Sequence, residues 1–320
     1  MDKSFLHNAE LAKRIEKNIS RVFVGKEKQI RVMLLGFCAG LHVLIEDVPG
    51  VGKTTLARSL AVSAGLDFGR IQFTPDLLPG DIVGMTVWSP EKREFIYKAG
   101  AIMHQFVLAD EINRASPRTQ SSLLEAMQEG SVTVDGSTYR LKEPFFVIAT
   151  QNPVNFLGAF PLPEGELDRF GISLSLGYPS ETEEAEILGR FKEEDPLSVL
   201  SPVTGPGEIL NTKAIVRKVF ITEAVKRYIV QIANETRTSR YCKLGLSPRA
   251  SQHLLLAAQA EALLNERDFV IPEDVREVAP YVLAHRLILS AEAGMENISS
   301  LEVIRRTLAG IRIPTGLDER

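Results

Sequence analysis

One glycine-rich segment, PGVGKT at residues 49–54, constrains the fold of this chain more than any other feature. It follows a short apolar run at residues 42–45 and precedes a helical pattern at residues 55–64. A glycine turn between a buried strand and a helix exposes backbone N–H groups to an anion, and the helix amino terminus adds its positive dipole end. The segment therefore predicts a strand, a phosphate-binding loop and a helix within an α/β fold.

The side chains of this loop predict a triphosphate site with magnesium. Lys53 would place a positive charge at the β- and γ-phosphates, and the Thr54 hydroxyl would bind the metal. We predict that the nucleotide contacts Gly50, Val51, Gly52, Lys53, Thr54 and Thr55. The usual pattern GxxxxGK[ST] has glycine where this chain has Asp47, which would bring a carboxylate near the phosphates unless its side chain points away.

Two further buried strands are predicted to bring polar groups to the same sheet edge. The run FVLADE at residues 106–111 ends in Asp110 and Glu111, and the run FFVIATQN at residues 145–152 ends in Asn152. Ligands of doubly wound sheets bind at the carboxyl ends of the strands. We therefore expect Asp110 to hold magnesium through its water shell, Glu111 to orient and polarise the attacking water, and Asn152 to bond the water and the γ-phosphate.

Two insertions and a change of composition organise the rest of the chain. Residues 71–101 contain strand-like pieces at 82–88 and 94–98, and residues 131–141 form a hairpin around Asp135-Gly136. Both hairpins are expected to project from the core. A capping box at Ser180 and Glu183 opens the second part. We predict an α/β domain at residues 1–178 and an all-helical lid at residues 179–320, with helices at 222–238, 248–266, 272–289 and 299–308 after a loop at 195–207.

Composition excludes several classes of protein. A net charge of -4 gives no global basic footprint for nucleic acid, so nucleic acid is not the expected partner. No apolar stretch approaches the length of a membrane span, and the first residues lack a secretory core, which favours a cytoplasmic location without membrane insertion. Cys38 and Cys242 form no metal spacing and are expected to be reduced thiols.

The order of the motifs resembles that of AAA+ ATPases, and the chain is most similar to the MoxR family. The resemblance rests on PGVGKT, LADEINRA, FFVIATQNP, LPEGELDRF and SPRA, together with RIQFTPDLLPGDIVG in the first insertion. It extends over about residues 22–286. Residues 154–160 depart from the acidic, glutamine-containing segment that the family would have there. The resemblance implies ATP and Mg²⁺ as cofactors and a ring, commonly hexameric.

The resemblance also implies two arginine roles. Arg169 matches the arginine finger that completes a neighbour's site, with Arg114 and Arg118 as rival fingers and an ion pair to Glu166 as the alternative. Arg249 matches the sensor-2 position. It follows an N-cap and Pro248 in the first turn of a helix, where a cation needs an anionic partner, either ATP phosphate across the domain cleft or a nearby acid.

The family segment beside adenine matches Val24 and Gly25. Three functions stay open. The first is an ATP-driven remodeller of protein or metal-cofactor assemblies, which in this family works with a von Willebrand factor A protein. The second is a nucleic-acid motor, which stimulation of hydrolysis by DNA would favour. The third is a small-molecule kinase, which phosphate release without an acceptor would exclude.

Overall fold

The structure is a computed structural model that describes residues 3–152, 160–191 and 196–314. Two helices, α1 (Lys3–Ser20) and α2 (Glu27–Ala39), precede the sheet. The apolar residues that predicted α1, Leu11, Ile15 and Ile19, are fully buried. The helix α2 is buried along most of its length. It ends at Ala39 and is capped by Gly40, whose φ of 72° favours glycine.

The α/β part continues through a sheet, its helices and two hairpins. In chain order the elements are β1 (Val43–Glu46), α3 (Lys53–Ser63), β2 (Phe68–Gln72), α4 (Pro79–Val83), β3 (Gly84–Ser89), β4 (Glu94–Ala99), β5 (Phe106–Asp110), α5 (Pro117–Glu129), β6 (Ser131–Val134), β7 (Ser137–Arg140), β8 (Phe146–Gln151), α6 (Glu164–Leu167) and β9 (Ile172–Leu174). The main sheet has the order β2-β5-β8-β1-β9, and every pair is parallel. The carboxyl ends of β1, β5 and β8 therefore share one edge.

The two insertions differ from the sequence expectation. Residues 82 and 83 belong to the helix α4 rather than to a strand, because Pro79 takes the first helical position and the Asp81 carboxylate accepts the Leu78 N–H at 2.9 Å. The strand β2, within which the first insertion was expected to begin, belongs to the main sheet. The hairpins project only at their tips, since Val132 is buried and the rings of Tyr97 and Tyr139 stack at 3.8 Å between the hairpins.

The helical lid predicted for the carboxyl-terminal part is confirmed, and one short antiparallel strand pair is the addition that the sequence did not predict. It contains α7 (Glu181–Phe191), α8 (Pro206–Val216), α9 (Glu223–Thr238), β10 (Cys242–Leu244), α10 (Pro248–Leu264), α11 (Pro272–Leu283), β11 (Ile288–Leu289), α12 (Ala291–Met295) and α13 (Ser300–Gly310). The strands β10 and β11 form an antiparallel pair. The predicted loop at 195–207 ends at α8, and the predicted helix at 272–289 ends six residues early.

The carboxyl-terminal helices pack against the two opening helices. The helix α10 contacts α1, α2 and α8, and one continuous apolar cluster joins residues from Leu11 to Ile311. The predicted capping box is present, with the Ser180 N–H bonded to Glu183 Oε2 at 2.7 Å. The division at residue 178 stays a prediction. No helix in the described ranges has the length and apolarity needed to cross a membrane.

Candidate functional site

The phosphate loop has the backbone that the sequence predicts. Gly50 and Gly52 have φ angles of 88° and 86°, which residues with a side chain rarely adopt, and α3 begins at Lys53. The Lys53 ammonium donates to the Asp47 carbonyl at 2.7 Å. Burial lowers the pKa of Lys53, against the opposing effect of the carboxylates of Asp47, Asp110 and Glu111. A buried ammonium facing an open cavity is suited to an anionic ligand.

The Asp47 carboxylate points away from the loop. Its Oδ2 accepts the N–H groups of Leu176 and Gly177 at 2.6 and 2.7 Å and the Ser175 hydroxyl at 3.0 Å, and its Oδ1 accepts the Val48 N–H at 2.9 Å. Asp47 is 7% exposed and has no positive φ. The position therefore needs no glycine, and the carboxylate joins the phosphate loop to the segment that follows β9.

Replacing Asp47 by Ala is expected to destabilise the fold. The change removes a buried carboxylate that accepts three backbone N–H groups and one hydroxyl, and the loss of these bonds costs about 2–4 kcal/mol. Urea unfolding of the nucleotide-free chain measures the loss, and Asp47→Asn, which keeps one acceptor oxygen, should lose less. A change in unfolding free energy below about 0.5 kcal/mol for Ala would show that these bonds do not hold the two segments together.

The three polar side chains predicted at the sheet edge lie together. Thr150 connects Asp110 and Glu111, because its hydroxyl donates to Asp110 Oδ1 at 2.6 Å and accepts the Glu111 N–H at 2.9 Å. The Asn152 amide donates to Glu111 Oε1 at 3.0 Å. Glu111 has a φ of 55°, a left-handed conformation that lets the chain turn directly after β5. Thr150 is a site residue that the sequence reasoning missed, although it lies two residues before Asn152.

Basic and amide groups also contact the two carboxylates. Arg70 Nη2 lies 2.6 Å from Asp110 Oδ2, and Arg114 Nη1 lies 3.0 Å from Glu111 Oε2. The Gln72 amide donates to Glu111 Oε2 at 3.1 Å. Sequence reasoning missed Arg70 and Gln72 because it did not predict β2, on which both lie. Arg114, named as a rival finger, pairs within its own chain, and Arg118 is exposed at the start of α5.

Arg70, Asp110 and Glu111 line a cavity of about 360 Å³ at the carboxyl edge of the sheet. Its lining consists of Pro49, Gly50, Gly52, Lys53, Thr54, Arg70, Asp110, Glu111 and Asn152. The Asp110 carboxylate and the Thr54 hydroxyl are oxygen donors of the kind that magnesium prefers. The Asp110 carboxylate forms an ion pair with the Arg70 guanidinium in this structure, so a positive charge such as a metal ion fits beside it in the cavity. Val51 is buried beside the cavity, and Thr55 lies in the first turn of α3.

The segment predicted to lie against adenine is next to the phosphate loop. A Cβ placed on Gly52 would lie 2.9 Å from the Phe23 ring, so the chain before Val24 packs on the loop. Gly25 has a φ of 66° and lies against Glu183 of α7. Lys26 donates to the Tyr178 carbonyl at 2.8 Å. The segment at residues 23–26 therefore lies between the loop and the start of α7.

The structure does not bring Arg169 and Arg249 to the phosphate loop of their own chain. Both line a second cavity of about 200 Å³ with Gly40, Leu41, His42, Met127, Gln128 and His253. Residues 40–42 precede β1 and the loop follows it, so the two cavities lie at opposite ends of a four-residue strand about 13 Å long. A contact of Arg249 with ATP phosphate across the domain cleft stays a prediction, and in this structure Arg249 does not reach the phosphate loop of its own chain. The reason is that the carboxyl-terminal helices pack on α1 and α2.

The acidic partner expected as the alternative for Arg249 is Asp168. Arg249 Nη1 lies 4.0 Å from Asp168 Oδ2. The predicted N-cap is confirmed, since the Ser247 hydroxyl accepts the Ala250 N–H at 3.1 Å while donating to Asp168 at 2.9 Å. Arg169 donates to the Leu124 carbonyl at 2.9 Å, and within the described ranges it forms no ion pair with Glu166.

Asp168 also holds a buried arginine. Arg286 Nη1 donates to Asp168 Oδ1 at 2.8 Å, and burial lowers the pKa of this guanidinium to about 10. Arg286 Nη2 lies 2.6 Å from His253 Nδ1. Burial, reinforced by Arg286 and Arg249, lowers the pKa of His253 to about 3, so the ring is neutral and Nδ1 accepts the bond. The segment containing Arg169 is thereby fixed to the carboxyl-terminal helices.

The part of the sequence that departs from the family lies mostly outside the described residues. Of residues 154–160, only Phe160 is described, and its N–H donates to the Asn113 carbonyl at 2.6 Å. Phe160 is 43% exposed. The two cysteines are free thiols, and burial raises the pKa of Cys38 to about 12. Cys38 is therefore an apolar packing residue of α2.

Two family profiles match the chain on either side of residue 178. The ATPase family associated with various cellular activities (AAA) matches residues 42–172, and the AAA lid domain matches residues 234–307. A crystal structure of a Cytophaga hutchinsonii protein that carries an ATPase designation superposes with a TM-score of 0.91 at 38% identity, over 98% of each chain.

Curated relatives resemble the chain along most of its length. The uncharacterised protein YeaC of Bacillus subtilis is 49% identical over 304 residues, which are 95% of each chain. Chaperone MoxR1 of Mycobacterium tuberculosis is 40% identical over 305 residues, which are 92% of this chain and 80% of that protein. The phosphate loop, the parallel sheet, both profiles and these similarities together show that the chain belongs to the MoxR family of AAA+ ATPases.

Proposed function

We propose that this protein hydrolyses ATP in a magnesium-dependent reaction as a subunit of a ring that remodels protein or metal-cofactor assemblies. The observation that carries the proposal is the meeting of Lys53, Thr54, Asp110, Glu111 and Asn152 around one cavity at the carboxyl edge of the sheet. Magnesium held by Thr54 and Asp110 would offset the negative charge that develops on the phosphates.

Each residue has a separate task in this proposal. Lys53 exchanges its bond to the Asp47 carbonyl for the phosphates, and Thr54 and Asp110 hold the metal. Glu111 accepts a bond from Asn152 at 3.0 Å, so both side chains can face the same attacking water. Glu111 polarises this water and Asn152 orients it against the γ-phosphate.

The second cavity supports a site completed between neighbouring subunits. Arg169 has a buried Nε atom with no hydrogen-bond partner in the described part of the chain, beside Arg249 at 36% side-chain exposure. Two guanidinium groups facing an open cavity suit an anionic ligand. Their own phosphate loop lies at the other edge of the sheet, so the anion in this proposal is the ATP phosphate of a neighbouring subunit. A closed ring, for which we propose a hexamer, gives every subunit such a neighbour.

The proposed client is a protein. One relative is named a chaperone, and the exposed Trp88 and Phe95, whose ring centroids are 5.2 Å apart at the tip of the first hairpin, offer an apolar contact. A von Willebrand factor A protein is the partner that the family resemblance implies.

Phosphate release from ATP by the purified chain tests this function, with Lys53→Ala as the matched variant. The unsubstituted chain should release phosphate only with Mg²⁺ and without an added acceptor. Lys53→Ala should weaken ATP binding by about 10-fold or more, because it removes the only charge that the loop offers to the phosphates. Equal ATP affinity in the two proteins would remove Lys53 from the site. Release that requires DNA would favour the nucleic-acid motor.

A further inference from the structure

The arginine on β2, Arg70, contacts Asp110, the carboxylate that is proposed to hold the metal. The register pairs Gln72 with Asp110 across β2 and β5, and Arg70 lies two residues earlier on the same exposed face of β2. The Arg70 side chain therefore extends toward the carboxyl edge, where it joins Lys53 and Thr54 in lining the cavity.

Both oxygens of the Asp110 carboxylate are engaged. Oδ1 accepts the Thr150 hydroxyl at 2.6 Å, which comes from inside the sheet, and Oδ2 accepts Arg70 Nη2 at 2.6 Å. The side chain of Asp110 is 12% exposed, whereas that of Arg70 is 49% exposed. The guanidinium therefore covers the oxygen through which Asp110 can reach the cavity.

A guanidinium bonded to Asp110 Oδ2 and a magnesium ion held by the same carboxylate, directly or through water, compete for one acceptor. Both are cations, so each also repels the other from this carboxylate. The Gln72 side chain gives Arg70 a second anchor, since its Oε1 accepts Arg70 Nη2 at 2.8 Å. Arg70 thus has a defined position on Asp110 before any metal arrives.

We propose that Arg70 is a positioning residue that competes with Mg²⁺ for Asp110, so that loading of the magnesium nucleotide must displace its guanidinium. This inference rests on the proposed function of the cavity. A half-exposed ion pair of this kind shifts an equilibrium by about two- to five-fold. Removing Arg70 should therefore lower the Mg²⁺ concentration that half-saturates nucleotide binding by about two- to five-fold.

The test uses the full chain and a fluorescent ADP analogue, with Mg²⁺ titrated at a fixed concentration of the analogue. Arg70→Ala is compared with Arg114→Ala, because Arg114 is also 49% exposed and pairs with the neighbouring Glu111 at 3.0 Å without contacting Asp110. Arg70→Gln, which keeps a polar side chain on β2, is a second variant. The half-saturating Mg²⁺ concentration should fall in both Arg70 variants and stay unchanged in Arg114→Ala.

Three results overturn the proposal. One is a half-saturating Mg²⁺ concentration that is unchanged or higher in both Arg70 variants. If only the unfolding temperature falls in these variants, Arg70 stabilises the sheet and does not compete with the metal. Another is an equal fall of the half-saturating Mg²⁺ concentration in Arg114→Ala. That result would show that removing any positive charge near the cavity has the same effect. The third is nucleotide binding in the unsubstituted chain that does not depend on Mg²⁺. Absence of any nucleotide binding would overturn the proposed function as well.

Discussion

Glu111→Gln is expected to bind ATP with nearly unchanged affinity and to hydrolyse it about 100-fold or more slowly. The amide keeps the size of the side chain and can still contact Asn152, but it cannot accept a proton from water. Lys53, Thr54 and Asp110, which are proposed to bind the nucleotide and metal, are untouched. The measurement is phosphate release at saturating ATP together with binding of a fluorescent ATP analogue.

Glu46→Gln is the matched control for this prediction. Glu46 ends β1 at the same sheet edge, but its carboxylate accepts the Ser173 hydroxyl and does not line the cavity. The control should keep its turnover within about two-fold, as expected of a surface change. Near-normal turnover in Glu111→Gln would show that another group polarises the water.

Arg169→Ala is expected to reduce turnover by about 1,000-fold or more while its own ATP affinity stays nearly unchanged. The guanidinium lies at the opposite end of β1 from its own phosphate loop, so it cannot touch its own nucleotide. The assay is phosphate release across a range of protein concentrations. Activity per subunit of the unsubstituted chain should rise with concentration as rings assemble.

Arg118→Ala and Arg114→Ala are the controls for this assignment. Arg118 is exposed on α5, and Arg114 pairs with Glu111 of its own chain. If Arg118→Ala loses turnover while Arg169→Ala keeps it, the finger belongs to Arg118. Because Arg114 contacts the proposed base Glu111, a loss in Arg114→Ala identifies a finger only if mixing with Lys53→Ala subunits restores phosphate release. Thermal unfolding of Arg169→Ala must also be measured, because the guanidinium donates to the Leu124 carbonyl.

The sequence predicts the central strands of the sheet well because their apolar pattern is distinctive. The strands β5 and β8 are covered on both faces, so they are short continuous apolar runs, and the polar residues that end them reach the same edge. The strand β2 escapes the prediction because it lies at the sheet edge and alternates Arg70 and Gln72 with buried residues. Because β2 was not predicted, Arg70, which lines the cavity, and Gln72, which contacts Glu111, were missed as well.

Long-range packing decides the parts that local patterns could not supply. The N-cap at Ser247 and the first-turn position of Arg249 follow from the sequence, yet the location of that helix depends on which surface its apolar face covers. It covers α1 and α2, which takes Arg249 to Asp168 and away from the phosphate loop. Asp47 is similar, because its partners Leu176 and Gly177 are about 130 residues away in the chain.

The central claim is that an ATP site is completed by an arginine from the neighbouring subunit, and mixing two inactive variants tests it most directly. Arg169→Ala keeps the phosphate loop and Lys53→Ala keeps the arginine, so mixed rings contain some interfaces with both. Subunits are mixed before nucleotide is added, and exchange is verified with labelled subunits. Phosphate release is expected to reappear in the mixture while each variant alone stays inactive. No release at any ratio in exchanged rings, with wild-type activity per subunit constant down to a demonstrated monomer, would contradict it.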